Sequence, residues 1–193
     1  MYSNWALIID GRVDNILWWD GDPDHYAVPE GAITVLVPPD LAGILSIGWL
    51  YDGDVFTDPN APSPEEALAI AKTQKTQELS LACQSHIYAG FVSSALGSEH
   101  TYPANDHSQV NLISAVVSSL YPDVGSGWAT PFLCGDLSGV WDRRPHSAEQ
   151  IQQVGADGKA AINLALDKNL LLANAVIAAT SIAEVQAVEW VFP

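Results

Sequence analysis

The run Asp20-Gly21-Asp22-Pro23-Asp24 carries carboxylates at alternate positions, as the first half of a calcium-binding loop does. The pattern then breaks. The position that needs glycine is His25, and the twelfth position, which supplies a two-oxygen glutamate in such loops, is Gly31. The sequence therefore predicts an acidic turn here and no bound calcium.

Cys83 and His86 stand three residues apart in a helical segment, so both could face one metal ion. A structural zinc site needs four ligands, usually in two closely spaced pairs. Neither Cys134 nor the remaining histidines form a second pair. We therefore expect no metal, and two reduced cysteines that act as buried packing residues.

Motifs for covalent catalysis are also missing from the sequence. There is no Gly-x-Ser-x-Gly element, and Gly125-Ser126-Gly127 lies in a predicted loop without the strand-to-helix turn of that motif. No phosphate loop or dinucleotide-binding fingerprint occurs. Pairs of carboxylates decide nothing in a chain with 23 acidic residues. We therefore predict neither an enzyme nor a cofactor.

Two further groups of residues have types suited to recognition. Polar side chains next to predicted hairpins and helix starts could form a recognition or catalytic pocket, or a structural hydrogen-bonded network, which we favour; they are His100, Tyr102, Gln109, Asn111 and His146. Aromatic side chains in the first part of the chain could anchor a partner protein; they are Trp18, Trp19 and Tyr51.

The charge distribution narrows the choice of partners. The 193 residues carry a net charge of −16, which disfavours nucleic acid and anionic membrane surfaces. Residues 1–58 hold ten acidic residues against Arg12 alone. That excess suits a basic protein partner, or simply keeps the protein soluble. The amino terminus lacks a cationic signal-peptide region, and the apolar run from Asn169 to Ala179 is too short to span a bilayer, so we expect a cytoplasmic product.

The elements that must position these residues fall into two parts. Residues 1–58 read as short strands, with hairpin turns expected at Asp10-Gly11-Arg12 and at Asp52-Gly53. The proline-rich segment from Asp58 to Pro62 is the predicted linker. The sequence thus predicts an antiparallel β docking module at 1–58 and a second domain at 63–193.

The second domain is predicted to combine helices with two hairpins. A helix capped by Ser63 should run to about Tyr88, and its stretch from Lys72 to Glu78 has no apolar residue, as in an exposed bridging helix. Hairpins are expected at 91–103 and 131–143. In a long helix capped by Ser147, Gly155 and Gly158 could kink or divide the first part. The overall class is α+β.

Two apolar stripes at helical spacing are predicted to be buried. The first comprises Val110, Ile113, Val117 and Leu120. The second comprises Ile162, Leu166, Leu170, Ala173 and Ile177.

Ordered matches along the second domain resemble a family of unknown function found in bacteriophage and prophage tail-region proteins, over roughly residues 78–190. They are Cys83 to Phe91, Ala95-Leu96-Gly97, His100-Thr101-Tyr102-Pro103, Asp106 through Gln109 to Leu112, Gly139-Val140-Trp141, His146, Gln150-Ile151 and Gly155 to Lys159. A front segment with Pro29-Glu30-Gly31 and Gly48 to Phe56 is similar to the opening module of tail-fibre assembly and tail-fibre-associated proteins. The resemblance implies a tail location and no reaction.

Three functions remain open at this point. The first is a virion component, made in the host cytoplasm, that binds fibre, baseplate or tail-tip proteins without catalysing a reaction. Because tail organelles are symmetric, such a component could be a homo-oligomer. The second is a fibre-assembly chaperone that is absent from the finished particle. The third is a carbohydrate-recognising or carbohydrate-cleaving protein, which exposed Trp18, Trp19 or Trp141 would favour because sugar faces stack on open aromatic rings.

Overall fold

The computed structural model describes residues 2–121, 125 and 127–191. Ser126, the serine of Gly125-Ser126-Gly127, therefore lies outside the described residues. The chain has an α+β fold with two antiparallel sheets and four α-helices, which confirms the predicted class. It divides into two compact units, residues 1–63 and residues 64–193.

The first unit is a five-stranded antiparallel sheet. Its strands are β1 (Ser3–Ile9), β2 (Arg12–Trp19), β3 (Ile33–Leu36), β4 (Leu50–Tyr51) and β5 (Phe56–Thr57). Their order across the sheet is β3-β1-β2-β4-β5, and a short 3-10 helix follows β3 at Pro39–Leu41. A small core packs against one face; its buried members are Ala6, Ile8, Val13, Val37, Leu45 and Phe56.

The two predicted turns of this unit have different outcomes. Asp10 and Gly11 both have positive φ, 50° and 71°, as the expected two-residue hairpin turn requires. The second turn is longer than predicted, because Tyr51 pairs with Phe56 and leaves four residues between the strands. The Asp52 carboxylate closes this loop by accepting hydrogen bonds from the backbone N–H groups of Asp54 and Val55, at 2.9 and 2.8 Å.

The second unit places four helices around a four-stranded antiparallel sheet. The elements are α1 (Pro64–Tyr88), β6 (Phe91–Ser93), β7 (His100–Tyr102), α2 (Asp106–Ser119), β8 (Ala129–Gly135), β9 (Trp141–Ser147), α3 (Ala148–Ala178) and α4 (Ile182–Gln186). Both predicted hairpins are present, and the pairing of Thr101 with Gly135 joins them into one sheet with the order β6-β7-β8-β9.

Helix α1 is packed along its length. The prediction that Lys72 to Glu78 is exposed on all sides is wrong, because Lys72, Lys75 and Thr76 are half-buried. The Lys72 ammonium donates to the carbonyl of Ile177 in α3 at 2.8 Å. Long polar side chains can cover apolar surface with their stems while their charged ends stay in water. A segment without apolar residues can therefore still be packed, and the sequence pattern did not indicate this.

Helix α3 is a single helix of 31 residues, so Gly155 and Gly158 do not divide it. It begins at the predicted cap: Ser147 and Gln150 form a reciprocal capping box. A Cβ atom on Gly155 would lie 2.8 Å from a methyl of Val116, and one on Gly158 would lie 2.7 Å from the ring of Phe91. The glycines allow α2 and β6 to approach the helix closely.

Both predicted apolar stripes are largely exposed, which corrects the assignment of the buried faces. Val110, Ile113, Val117 and Leu120 are all exposed, and so are Leu166, Leu170 and Ile177, with Ile162 and Ala173 half-buried. Helix α2 buries Leu112 instead, and α3 buries a different set: Ile151, Val154, Gly158, Ala165 and Val176. Helical periodicity shows which residues share a face, but not which face meets the core.

Candidate functional site

Tyr102 and His146 form the centre of the polar cluster in the second unit. The Tyr102 hydroxyl and His146 Nε2 are 2.8 Å apart, and His146 Nδ1 is 2.8 Å from the carbonyl oxygen of Arg144. A carbonyl can only accept, so Nδ1 carries the proton and Nε2 accepts from the hydroxyl. Both side chains are fully buried. A neutral imidazole and a neutral phenol therefore have their N–H and O–H groups bonded within the protein.

Burial sets the protonation of this pair. Desolvation lowers the pKa of His146, the hydrogen bond to Arg144 partly opposes this, and His100 lowers the pKa further. Desolvation also raises the pKa of Tyr102, well above its usual value. Both shifts favour the neutral forms of the two side chains.

His100 belongs to the same layer of the sheet. It is buried on β7, and its Nδ1 donates to the carbonyl of Ser98 at 2.9 Å, within its own hairpin. Its cross-strand partner on β6 is Ser93. The hydroxyl of Ser93 donates to the Asp157 carboxylate of α3 at 2.6 Å. The contact joins the hairpin to the helix. Ser93 donates its hydrogen bond to this carboxylate and not to an imidazole, unlike a serine nucleophile activated by a histidine base.

Gln109 and Asn111 lie apart from this cluster. Gln109 donates to the carbonyl of Ala104 at 2.7 Å and so holds the start of α2. Asn111 lines a cavity of about 510 Å³ with polar neighbours from α2 and the second hairpin, including Ser108 and Arg143. The structure therefore brings together His100, Tyr102 and His146, and separates the other two residues from them.

Two polar contacts were not predicted from the sequence. One is the link from Ser93 to Asp157, because nothing in a short hairpin strand indicates a distant helical partner. The other is the ion pair of Arg144 with Asp136, at 2.7 Å, beneath the second hairpin. The Ser138 hydroxyl, the backbone N–H of Val140 and Arg144 all lower the pKa of Asp136. The Asp-x-Ser spacing at this turn is the only local signal that could have indicated that the Asp136 carboxylate is held in place here.

The residues considered for metals have other contacts. His25 pairs with Asp20 at 2.7 Å, and backbone hydrogen bonds, chiefly from Asp22, together with His25 lower the pKa of Asp20. Cys83 is a free buried thiol directed at the carbonyl of Ala165, and burial raises its pKa. His86 packs its ring near Trp190. Within the described residues, no three potential ligands cluster as a metal site would require.

The three predicted interaction aromatics have different environments. Trp18 is 68% exposed and stacks its ring on Tyr2, which is also exposed. Trp19 is buried against Trp5 and donates its indole N–H to the carbonyl of Asp22. Tyr51 packs on Phe56 and donates its hydroxyl to the carbonyl of Gly53. Of the three, Trp18 alone presents an open ring.

Trp141 is a second open indole, in the second unit. Its side chain is 50% exposed at the start of β9. The ring lies over Gly135, where a Cβ atom would come within 2.9 Å of it. The absence of a side chain at Gly135 therefore makes room for the ring.

The family model of a domain of unknown function, DUF4376, matches residues 70–189, from α1 through α4. The chain belongs to the DUF4376 family. The matched range contains the whole polar cluster, the four-stranded sheet and both exposed stripes. Neither the curated proteins nor the solved structures contain a match to the chain. The DUF4376 match assigns neither an activity nor a location, so the tail location inferred from resemblance stays a prediction.

The DUF4376 region also contains the most apolar helix. Helix α3 has an 18-residue stretch with a mean hydropathy of 1.3, which is long and apolar enough to cross a membrane by length and composition. Core helices of water-soluble proteins pass the same test when they are mostly buried, whereas 11% of this stretch is buried. Helix α3 does supply Ile151, Val154 and Val176 to buried clusters.

Proposed function

We propose that this chain is a non-enzymatic structural or adaptor protein of a bacteriophage tail. In this proposal the first unit binds fibre, baseplate or tail-tip proteins. The phage setting comes from the resemblance described above, and the binding role from the surface of the first unit.

The observation that carries the proposal is the open Tyr2–Trp18 pair in a strongly acidic unit. Stacked aromatic rings give a large contact area with little conformational entropy to lose, and tryptophan and tyrosine are common binding hot spots. Residues 1–58 contain ten acidic residues and one arginine. Such a field speeds association with a basic protein and disfavours acidic partners.

The proposal is tested with full-length protein and the phage that encodes it. Mass spectrometry of purified particles should find the chain in a fixed ratio to other tail proteins. Trp18→Ala should weaken capture by those proteins at least tenfold, whereas Trp141→Ala, which removes an exposed indole in the other unit, should not. If the chain is made during infection but is absent from particles, the assembly-chaperone function replaces this one.

The open ring of Trp141 supports a second candidate function, carbohydrate recognition at the receptor end of the tail. Sugar rings stack on accessible indoles, and half of the Trp141 side chain is exposed. Titration with host surface polysaccharide should then change tryptophan fluorescence in wild-type protein and in Trp18→Ala, but not in Trp141→Ala. A titration without any signal would remove this candidate.

A further inference from the structure

Two helical stripes give the second unit a large apolar surface that its own fold leaves uncovered. We call Val110, Ile113, Val117 and Leu120 the α2 stripe, and Ile162, Leu166, Leu170, Ala173 and Ile177 the α3 stripe. Ile113 is 62% exposed and Leu170 is 61% exposed. Only 11% of the most apolar stretch of α3 is buried. A helix that is apolar on several faces is normally enclosed.

The two stripes border one groove. Ile113 and Val117 from α2 and Ile162 from α3 line a space of about 350 Å³ between the helices. Lys159 is the only charged residue among the residues that line it. The α3 stripe continues from Ile162 towards the carboxyl end of its helix. The two stripes therefore meet at Ile162.

The exposed area exceeds what compact units of this size leave in water. The chain exposes 12237 Å². Two compact bodies of the sizes seen here would expose about 10,600 Å² together. The whole chain thus exposes about 1,600 Å² more than two compact bodies would, and a stable protein interface takes roughly 800 Å² from each partner.

The charge pattern indicates what covers this surface. Residues 108–121 and 169–183 contain no charged side chain, in a protein whose net charge is −16, and the α3 stripe has one acid and one base within its length, Asp167 and Lys168. A basic partner would be held by acidic residues, and this surface offers none in either run. A second copy carries the same negative charge, and it can approach closely only where both contact faces are neutral. Depletion of charge is also typical of interface centres.

The geometry of the α3 stripe fits a helix as the contacting element. Ile162 and Ala173 are eleven residues apart, and so are Leu166 and Ile177. This repeat corresponds to about 3.67 residues per turn, close to the 3.6 of a straight helix. The stripe consequently runs almost parallel to the helix axis over four turns. A second copy of the chain presents the same helix and the same stripe.

We propose that the chain self-associates through the α2 and α3 stripes, each copy covering the same surface of another. A symmetric pair of this kind satisfies both copies with one contact, because the surface is complementary to itself. The inference stands on the second unit alone and does not depend on the proposed tail function.

The test is the mass of the full-length protein in solution. Sedimentation equilibrium across about 1 to 100 μM should show an oligomer, with a melting temperature that rises with protein concentration. Leu170→Glu and Ile113→Glu place a charge on each stripe in turn, and each should raise the dissociation constant at least tenfold. Since both side chains are exposed, the circular dichroism spectrum of each variant should be unchanged. Leu137→Glu is the matched control, because Leu137 is 81% exposed on the second hairpin, outside both stripes.

Three outcomes overturn the proposal. One is a wild-type protein that remains monomeric throughout this range. Another is an oligomer that Leu170→Glu and Ile113→Glu leave intact, or that Leu137→Glu dissociates equally. The third is a monomer that binds vesicles of phosphatidylcholine and phosphatidylglycerol through α3 in wild type but not in Leu170→Glu, which would assign the surface to a membrane.

Discussion

The Tyr102–His146 pair is the clearest case of a single hydrogen bond with an expected stability effect. Tyr102→Phe removes only the hydroxyl and leaves Nε2 of a buried imidazole without a donor. Such a loss costs about 1–3 kcal/mol in the free energy of unfolding. Tyr88→Phe is the control, since the Tyr88 hydroxyl bonds Asp106 at an exposed position. Denaturant melts that show equal losses for the two variants would mean that the buried bond contributes little.

The same histidine makes stability depend on pH in a defined direction. The folded state lowers the pKa of His146 below its ordinary 6.5. Below pH 6.5 the unfolded chain therefore binds a proton that the folded chain does not, and the free energy of unfolding falls as the pH drops further. Above that value this contribution is fully present.

This pH dependence can be assigned to one side chain. His25 acts in the opposite sense, because Asp20 raises its pKa, although its exposure to solvent makes that contribution small. We expect the decline between pH 6.5 and 5 to be shallower in His146→Gln than in wild type. A His146 titration midpoint at or above 6.5, measured by NMR, would show that the buried neutral form is wrongly assigned.

At the scale of single elements, the close approach of β6 to α3 requires a residue without a side chain at position 158, which can be tested. Replacing an exposed helical glycine with alanine stabilises a helix by about 1 kcal/mol. At Gly158 the new methyl would meet the packed ring of Phe91, so we expect a net loss of about 1–3 kcal/mol. Gly155→Ala meets one methyl of Val116, which can move more easily, and should cost less. Thermal melts of the two variants decide, and a stabilised Gly158→Ala would contradict the packing argument.

These elements also show how far the sequence could be interpreted. Hairpin turns and caps were predictable where a local rule fixes them, as at Asp10-Gly11 and Ser147. The buried face of α3 was not, because the helix carries apolar residues on several faces and packs its small ones inward, with Ala165 and Gly158 among them. The partners of Ser93 and Arg144 depend on which elements meet in space, and local spacing carries no such information.

At the scale of the whole molecule, the two units should be separable. Residues 62–193 include the predicted cap Ser63, all of α1 and the buried clusters described for the second unit, so this fragment is expected to melt cooperatively without the first unit. Residues 1–61 should retain binding to tail proteins. A larger fragment that is unfolded alone, or that retains all of the binding, would refute this division of roles.

The two free cysteines allow the opening of the second unit to be followed in time. Cys83 is buried between α1 and α3, with 3% of it exposed, and Cys134 is fully buried inside the sheet cluster, while the first unit has no cysteine. A thiol reagent can reach either sulfur only after the surrounding structure has opened. If the helices and the sheet unfold as one cooperative body, both thiols will be labelled at one common rate. If the helices separate first, Cys83 will be labelled while Cys134 remains protected, and the protein itself will report which part is the less stable.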